Sequence, residues 1–181
     1  MKKILIISAA AVATLAIAWS VYEQRRNREV VATLQTWMGK EITYPSCPRF
    51  ITADTTVWEG KNGYTIFYCI DSTGCTACRL HLEMWVHFMN ELNTASSSPV
   101  KLVFVTNVSD ERNVRMAFTA HPEFTVINTW NDTTGNLKDL PCRAPINTFL
   151  LDSENKIITI GNPLVNNKVK SNYYKKIILT R

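Results

Sequence analysis

A change of periodicity near residue 70 constrains this chain most. Tyr64 to Ile70 is a continuous run of apolar and β-branched side chains. That is the pattern of a strand buried on both faces. Asp71-Ser72-Thr73-Gly74 reads as a turn. From Cys75 to about Asn93 the period becomes helical, with Leu82, Trp85, Met89 and Leu92 in one apolar stripe and Leu80, Met84 and Phe88 in a second. A helix apolar on two sides is expected to be sandwiched rather than laid on a surface. The tetrapeptide Cys75-Thr76-Ala77-Cys78 therefore falls where a buried strand gives way to a helix.

The rest of the chain repeats that alternation and then changes it. Pro45, Cys47 and Pro48 punctuate an extended lead-in, Thr94 to Pro99 is a polar loop, and Val100 to Thr106 reads as a second buried strand. Asp110 to Thr119 is predicted helical with Val114 and Phe118 inward, and Glu123 to Ile127 is a candidate short strand before a turn-rich stretch at Asn131 to Asn136. Thr148 to Asp152 and Lys156 to Ile160 form a hairpin across Ser153-Glu154-Asn155, and Asn166 to Leu179 is a final helix. The expected order is β-α-β-α followed by β-β-α. Alternation implies a parallel unit, and the closing hairpin and helix complete the order of an α/β thioredoxin fold, a mixed central sheet with flanking helices, expected over residues 40–181.

The placement of the cysteine pair carries chemistry. At a helix N-terminus, unsatisfied N–H groups and the macrodipole favour an anion, which lowers a thiol pKa and supplies thiolate near neutral pH. Arg79 stands behind the pair, and Gly74 leaves Cys75 uncrowded. The spacing assigns Cys75 as exposed nucleophile and Cys78 as resolving thiol. Competing readings fare worse. A structural zinc site needs two further ligands, and no second cysteine pair exists; a c-type haem needs histidine where Arg79 stands. No nucleotide or hydrolase motif occurs, and no cofactor or resident metal is expected. His81 and His87 on the polar part of the helix, and His121 in a loop, receive no role.

The N-terminus reads as an address. Lys2 and Lys3 precede an uncharged segment from Ile4 to Val21, close to the shortest length that spans a bilayer. Two readings stay open: a signal peptide cleaved after Ala16-Ile17-Ala18, and a retained anchor over residues 1–24 with Trp19 and Tyr22 at the interface. The length of the run favours the anchor, followed by a helical stalk over residues 25–39 with Val30, Val31, Leu34 and Trp37 at helical spacing and Gly39 as its stop. Arg25, Arg26 and Arg28 oppose export of the C-terminal part; Lys2 and Lys3, nearer the segment, counter them. The expectation is a single-pass inner-membrane protein, held through residues 4–22, with its C-terminal part in the periplasm, or a secreted periplasmic form after cleavage. The net charge of +5 suits a membrane surface rich in anionic lipid. Nucleic acid is not an expected partner, because no basic run is interleaved with aromatics.

The stretch from Tyr68 to Leu80 (YCIDSTGCTACRL), with Asn147 to Pro163 (NTFLLDSENKIITIGNP), resembles the TlpA-like branch of the thioredoxin superfamily, and more narrowly a group of membrane-anchored members from Gram-negative anaerobes. Trp37-Met38-Gly39-Lys40-Glu41-Ile42 and Asn167 to Val169 fit the same group. The resemblance covers roughly residues 35–180. It implies thiol–disulfide oxidoreductase activity, usually reductive, with protein disulfides or dithiols as substrates and a membrane electron-transfer partner. Members carry a cis proline facing the pair, in a motif that ends as Thr148-Phe149-Leu150-Leu151-Asp152 does here. Counting back places that slot on Ile146, with Pro145 one residue early; either residue can fill it, and both belong to the expected substrate loop. Cys142 precedes the loop and is a candidate third redox-accessible thiol. Cys69 reads as a core residue, and the pairing of Cys47 is open. The rival from another class is a non-catalytic binding scaffold that keeps Cys75–Cys78 as a structural disulfide.

Overall fold

The computed structural model describes residues 2–45, 48–52, 63–70, 80–141 and 146–179. The chain divides into two units, residues 1–37 and 38–181. The first is a single helix, α1 (Lys2–Trp37). Past its end Gly39 adopts a left-handed φ of 76°, the conformation that stops a helix with no side-chain penalty. Among the described residues no helix is long and apolar enough to cross a membrane; the side chains of residues 2–13 lie outside that description.

The second unit is built on a six-stranded sheet in the order β1-β4-β3-β2-β5-β6. The strands are β1 (Arg49–Phe50), β2 (Tyr64–Cys69), β3 (Val100–Thr106), β4 (Thr125–Asn128), β5 (Thr148–Leu151) and β6 (Ile157–Ile160). The helices are α2 (Leu82–Ala95), α3 (Arg112–Ala117) and α4 (Asn167–Leu179), with a 3-10 turn at Leu137–Asp139. β2, β3 and β4 are parallel, and β5 is antiparallel to both β2 and β6. The strand expected at Glu123 to Ile127 is thus a full sheet member, shifted slightly to Thr125–Asn128.

Alternation along the strands sorts the core. Ile66, Tyr68, Ile70, Leu102, Phe104, Val126 and Leu150 join one buried cluster with Trp85, Phe88 and Leu92 of α2, Val114 and Phe118 around α3, and Tyr173 and Ile177 of α4. Phe104 is its hub, with ring centroids 4.8 Å from Phe118, 5.2 Å from Phe124 and 5.5 Å from Tyr68. The intervening residues Phe67, Cys69, Val103, Val105, Ile127 and Phe149 are buried too, and Tyr44 lies 5.8 Å from Phe67. Burial on both faces explains the continuous apolar runs in the sequence.

The helix after the cysteine pair differs from expectation. Its periodicity predicts an unbroken run from Cys75. Instead Leu80 is helical, His81 is left-handed (φ 48°, ψ 46°), and α2 restarts at Leu82. Of the second stripe, Leu80 and Phe88 are buried, whereas Met84 is 48% exposed, so α2 is buried mainly along one side.

Candidate functional site

The two segments that stand out in the sequence leave adjoining strand ends. Ile70, just past β2, donates its N–H to Val105 O at 2.7 Å, and Cys69 donates to Asn147 O at 2.7 Å. Tyr68 pairs with Thr148. The exit of β2, which continues into residues 71–79, therefore sits beside the entry of β5, which follows residues 142–145. Cys75, Cys78 and Arg79 fall in the first segment, Cys142 and Pro145 in the second, and all five lie outside the described residues, as does Cys47. Ile146 is described and buried, 8% exposed, and Cys69 is wholly buried within β2.

The helical side of the β2 exit carries a cleft of about 410 Å³ lined by His81, Leu82, Glu83, Met84, Ala117, Ala120 and His121. His121 is more engaged than a loop residue, with Nδ1 3.1 Å from Glu123 Oε1 and Nε2 3.5 Å from Glu83 Oε1. It joins the first turn of α2 to the segment before β4. His87 pairs with Glu91 at 2.9 Å. Among the described residues no group of three or more His, Cys, Asp or Glu could hold a metal ion.

The carboxyl ends of β3 and β4 extend the same sheet edge, and they hold a network that local sequence pattern does not reveal. Asn128, at the end of β4, is buried. Its Nδ2 donates to Val108 O at 2.9 Å and to Glu111 Oε1 at 2.8 Å, and its Oδ1 accepts from Trp130 N at 2.9 Å. Glu111 is 8% exposed and is held by Arg49 Nε at 2.8 Å and Arg115 Nη2 at 3.2 Å. Arg115 Nη1 also donates to Ile51 O at 2.8 Å. This network locks the exits of β3 and β4 together beneath Trp130, which is itself 44% exposed. The only sequence signal for it is one tryptophan beside a polar, turn-rich stretch.

Among the described residues, tyrosines show the strongest electrostatic perturbation. Burial pushes the Tyr44 phenol up to about 12, partly opposed by a hydrogen bond with Thr65. Burial and then the Glu91 carboxylate push Tyr174 up to about 12, and burial alone raises Tyr173.

No family model matches the chain. No curated protein matches it. Solved structures do. Yeast Sco1 aligns over 78% of this chain and 96% of its own, at 13% identity and a TM-score of 0.52. Yeast Sco1 with copper bound aligns at 12% identity and 0.52, covering 78% and 91%. A solution structure from Bacteroides thetaiotaomicron, provisionally named a protein disulfide isomerase, aligns at 15% identity and 0.50, covering 80% and 91%. At such identities the likeness bears on the fold. Together with the sheet order, the parallel β2-α2-β3 unit and the closing β5-β6 hairpin with α4, it shows that the second unit has a thioredoxin-like fold.

Proposed function

We propose that the chain is a thiol–disulfide oxidoreductase acting on proteins outside the cytoplasm, with Cys75 as nucleophile and Cys78 as resolving thiol. One observation carries the reading: a C-x-x-C begins six residues beyond Cys69, the last residue of β2, the strand whose end adjoins the entry of β5. The Cys75 thiolate attacks one sulfur of a partner's disulfide; a Cys75–partner bond forms, the partner's S–S bond breaks, and its second sulfur leaves as thiolate. Cys78, as thiolate, then attacks the Cys75 sulfur. The mixed disulfide breaks, the partner departs reduced, and the pair holds the oxidation as Cys75–Cys78. A membrane dithiol partner would return the electrons. An N-terminal anchor over residues 4–22, in the inner membrane with the folded unit in the periplasm, would hold the pair close to that partner at high effective concentration.

The test is equilibrium titration of the pair in glutathione and dithiothreitol buffers, beside Cys75→Ser and Cys78→Ser. The expected result is one reversible two-electron transition between about −120 and −300 mV, absent in either variant. A pair that stays oxidised throughout, or never oxidises, would overturn the reading and leave the binding scaffold. A second reading, a carrier of a soft metal, is favoured by the likeness to copper-bound yeast Sco1, because paired thiolates suit Cu(I). Retention of Cu(I) against a competing chelator, lost in both variants, would favour it over exchange.

A further inference from the structure

Two clefts of about 270 and 320 Å³ lie at the carboxyl edge of the sheet, and Trp130 and Asn131 border both. In open sheets built from parallel units this edge is where ligands bind. Trp130 is 44% exposed, and the lining around it is polar. Arg49 and Thr133 line the first cleft; Asn107, Lys138 and Asp139 line the second. Among the described residues, Asn107, Asn131, Thr133 and Asp139 are exposed, and their side chains make no hydrogen bond or ion pair within the chain. Two amides, a hydroxyl and a carboxylate are therefore open beside the indole, donors and acceptors together. The loop is fixed before any ligand arrives. Thr129 N and Oγ1 both donate to Thr106 O, at 2.8 and 3.1 Å. Trp130 N donates to Asn128 Oδ1 at 2.9 Å, and Lys138 Nζ donates to Asp132 O at 2.9 Å. Binding here costs little further ordering.

We propose that the Trp130 clefts bind a neutral saccharide, a chain of β-1,4-linked pyranose rings of gluco configuration. In such rings the ring substituents and the linkages are equatorial, so each ring face shows axial C–H bonds. Those hydrogens carry slight positive charge and pack on the negative face of an indole. The hydroxyls at the ring edge both donate and accept, as the open amides, hydroxyl and carboxylate require. Equatorial linkages keep the chain flat and extended, so one ring stacks on Trp130 while its neighbours enter the two clefts. Each cleft lies at the small end of ligand sites, which suits one sugar ring. The occupant is neutral because the cationic Arg49 and Lys138 stand against the anionic Asp132 and Asp139 in the lining. An apolar side chain in either cleft would desolvate these polar groups and pair none of them. The inference does not depend on the dithiol reading above.

The test is calorimetric titration of the full chain, held in a zwitterionic detergent without a sugar headgroup. The probes are cellotriose and chitotriose, with the α-1,4-linked maltotriose for comparison. The expected result is saturable binding of at least one β-linked trisaccharide, with a dissociation constant of about 1 mM or below. Maltotriose, whose axial linkages curve the chain away from a flat platform, binds about tenfold more weakly. Trp130→Ala weakens the β-linked ligand by about tenfold or more, as for loss of one large apolar contact surface. Trp130→Phe keeps the affinity within about threefold, because an aromatic face remains. Asn131→Ala and Asp139→Ala, both at exposed side chains, each weaken it by about fivefold, the worth of one hydrogen bond. They keep the test decisive where Trp130→Ala fails to fold, which its urea midpoint shows. No saturable heat from either β-linked trisaccharide at about 10 mM overturns the site. Binding that is unchanged in Trp130→Phe, Asn131→Ala and Asp139→Ala and also in a folded Trp130→Ala overturns it too, by placing the sugar elsewhere. Equal affinity for maltotriose overturns the stacked, flat-chain ligand.

Discussion

At the scale of single residues, His81 shows how packing overrides local preference. Left-handed backbone costs an L-residue roughly 1–2 kcal/mol, and nothing in the histidine side chain caps α2 in return. The reason lies on either side. Leu80 and Leu82 are both buried, at 2% and 8% exposure, yet residues two apart on an uninterrupted helix point about 200° away from each other. One left-handed residue between them lets both face the core. His81→Gly relieves the strain and keeps the break; we expect it to raise unfolding stability by about 0.5–1 kcal/mol, read as a higher urea midpoint at unchanged slope. A lower midpoint would mean that the imidazole contributes contacts outweighing the strain. Asn155, at φ 60° in the β5–β6 turn, is the opposite case. Asparagine tolerates that conformation, so the turn is legible in the sequence where the break at His81 is not.

Among elements, the seam between α2 and α4 unites the core with a charged surface. Phe88 packs tilted against Tyr173 and edge-on against Tyr174, Tyr174 Oη donates to Glu91 Oε2 at 2.5 Å, and Lys170 pairs with the same carboxylate at 3.1 Å. Tyr173, fully buried, donates to Gly161 O at 3.2 Å, which ties α4 to the end of β6. The folded-state pKa values of Tyr44, Tyr173 and Tyr174 are all raised. A raised phenol contributes stability that is complete below its unfolded value near 10 and lost as pH rises toward the folded value. For Tyr44 and Tyr174 that window runs from about 10 to about 12. The urea midpoint should therefore fall steeply across it, and Tyr173→Phe combined with Tyr44→Phe should flatten the fall. An unaltered slope in the double variant would exclude these phenols as its cause. The Glu91 carboxyl is held below its ordinary value, first by Tyr174 and then by Lys170, so its contribution is present at neutral pH and lost as pH falls through the acid range.

For the whole molecule, residues 38–181 carry their own sheet, helices and core. Their first residues are part of it. Gly39 N donates to Ile157 O, Ile157 N to Lys40 O and Ile42 N to Asn155 O, so the lead-in lines the outer edge of β6, and the Ile42 side chain is 1% exposed. A chain beginning at Met38 is expected to unfold in one cooperative transition. A chain beginning at Pro45 loses Ile42 and three edge hydrogen bonds, and its stability should drop by about 3 kcal/mol or more. Equal midpoints for the two fragments would show that the lead-in is dispensable.

The sequence alone determined the parts of the architecture that depend on local period. β2, β3, the β5–β6 hairpin and α4 fall where apolar runs, alternation and helical spacing place them. The C-x-x-C is legible because a strand ends just before it, and the fold class follows from the element order. Only tertiary structure decided the break at His81, the membership of β4 in the sheet, and the Arg49–Glu111–Asn128 support beneath Trp130. The physical reason is range. Periodicity reports which face of an element is buried, whereas a left-handed residue, a buried carboxylate and a braced tryptophan depend on residues distant in the chain that meet only when the sheet assembles.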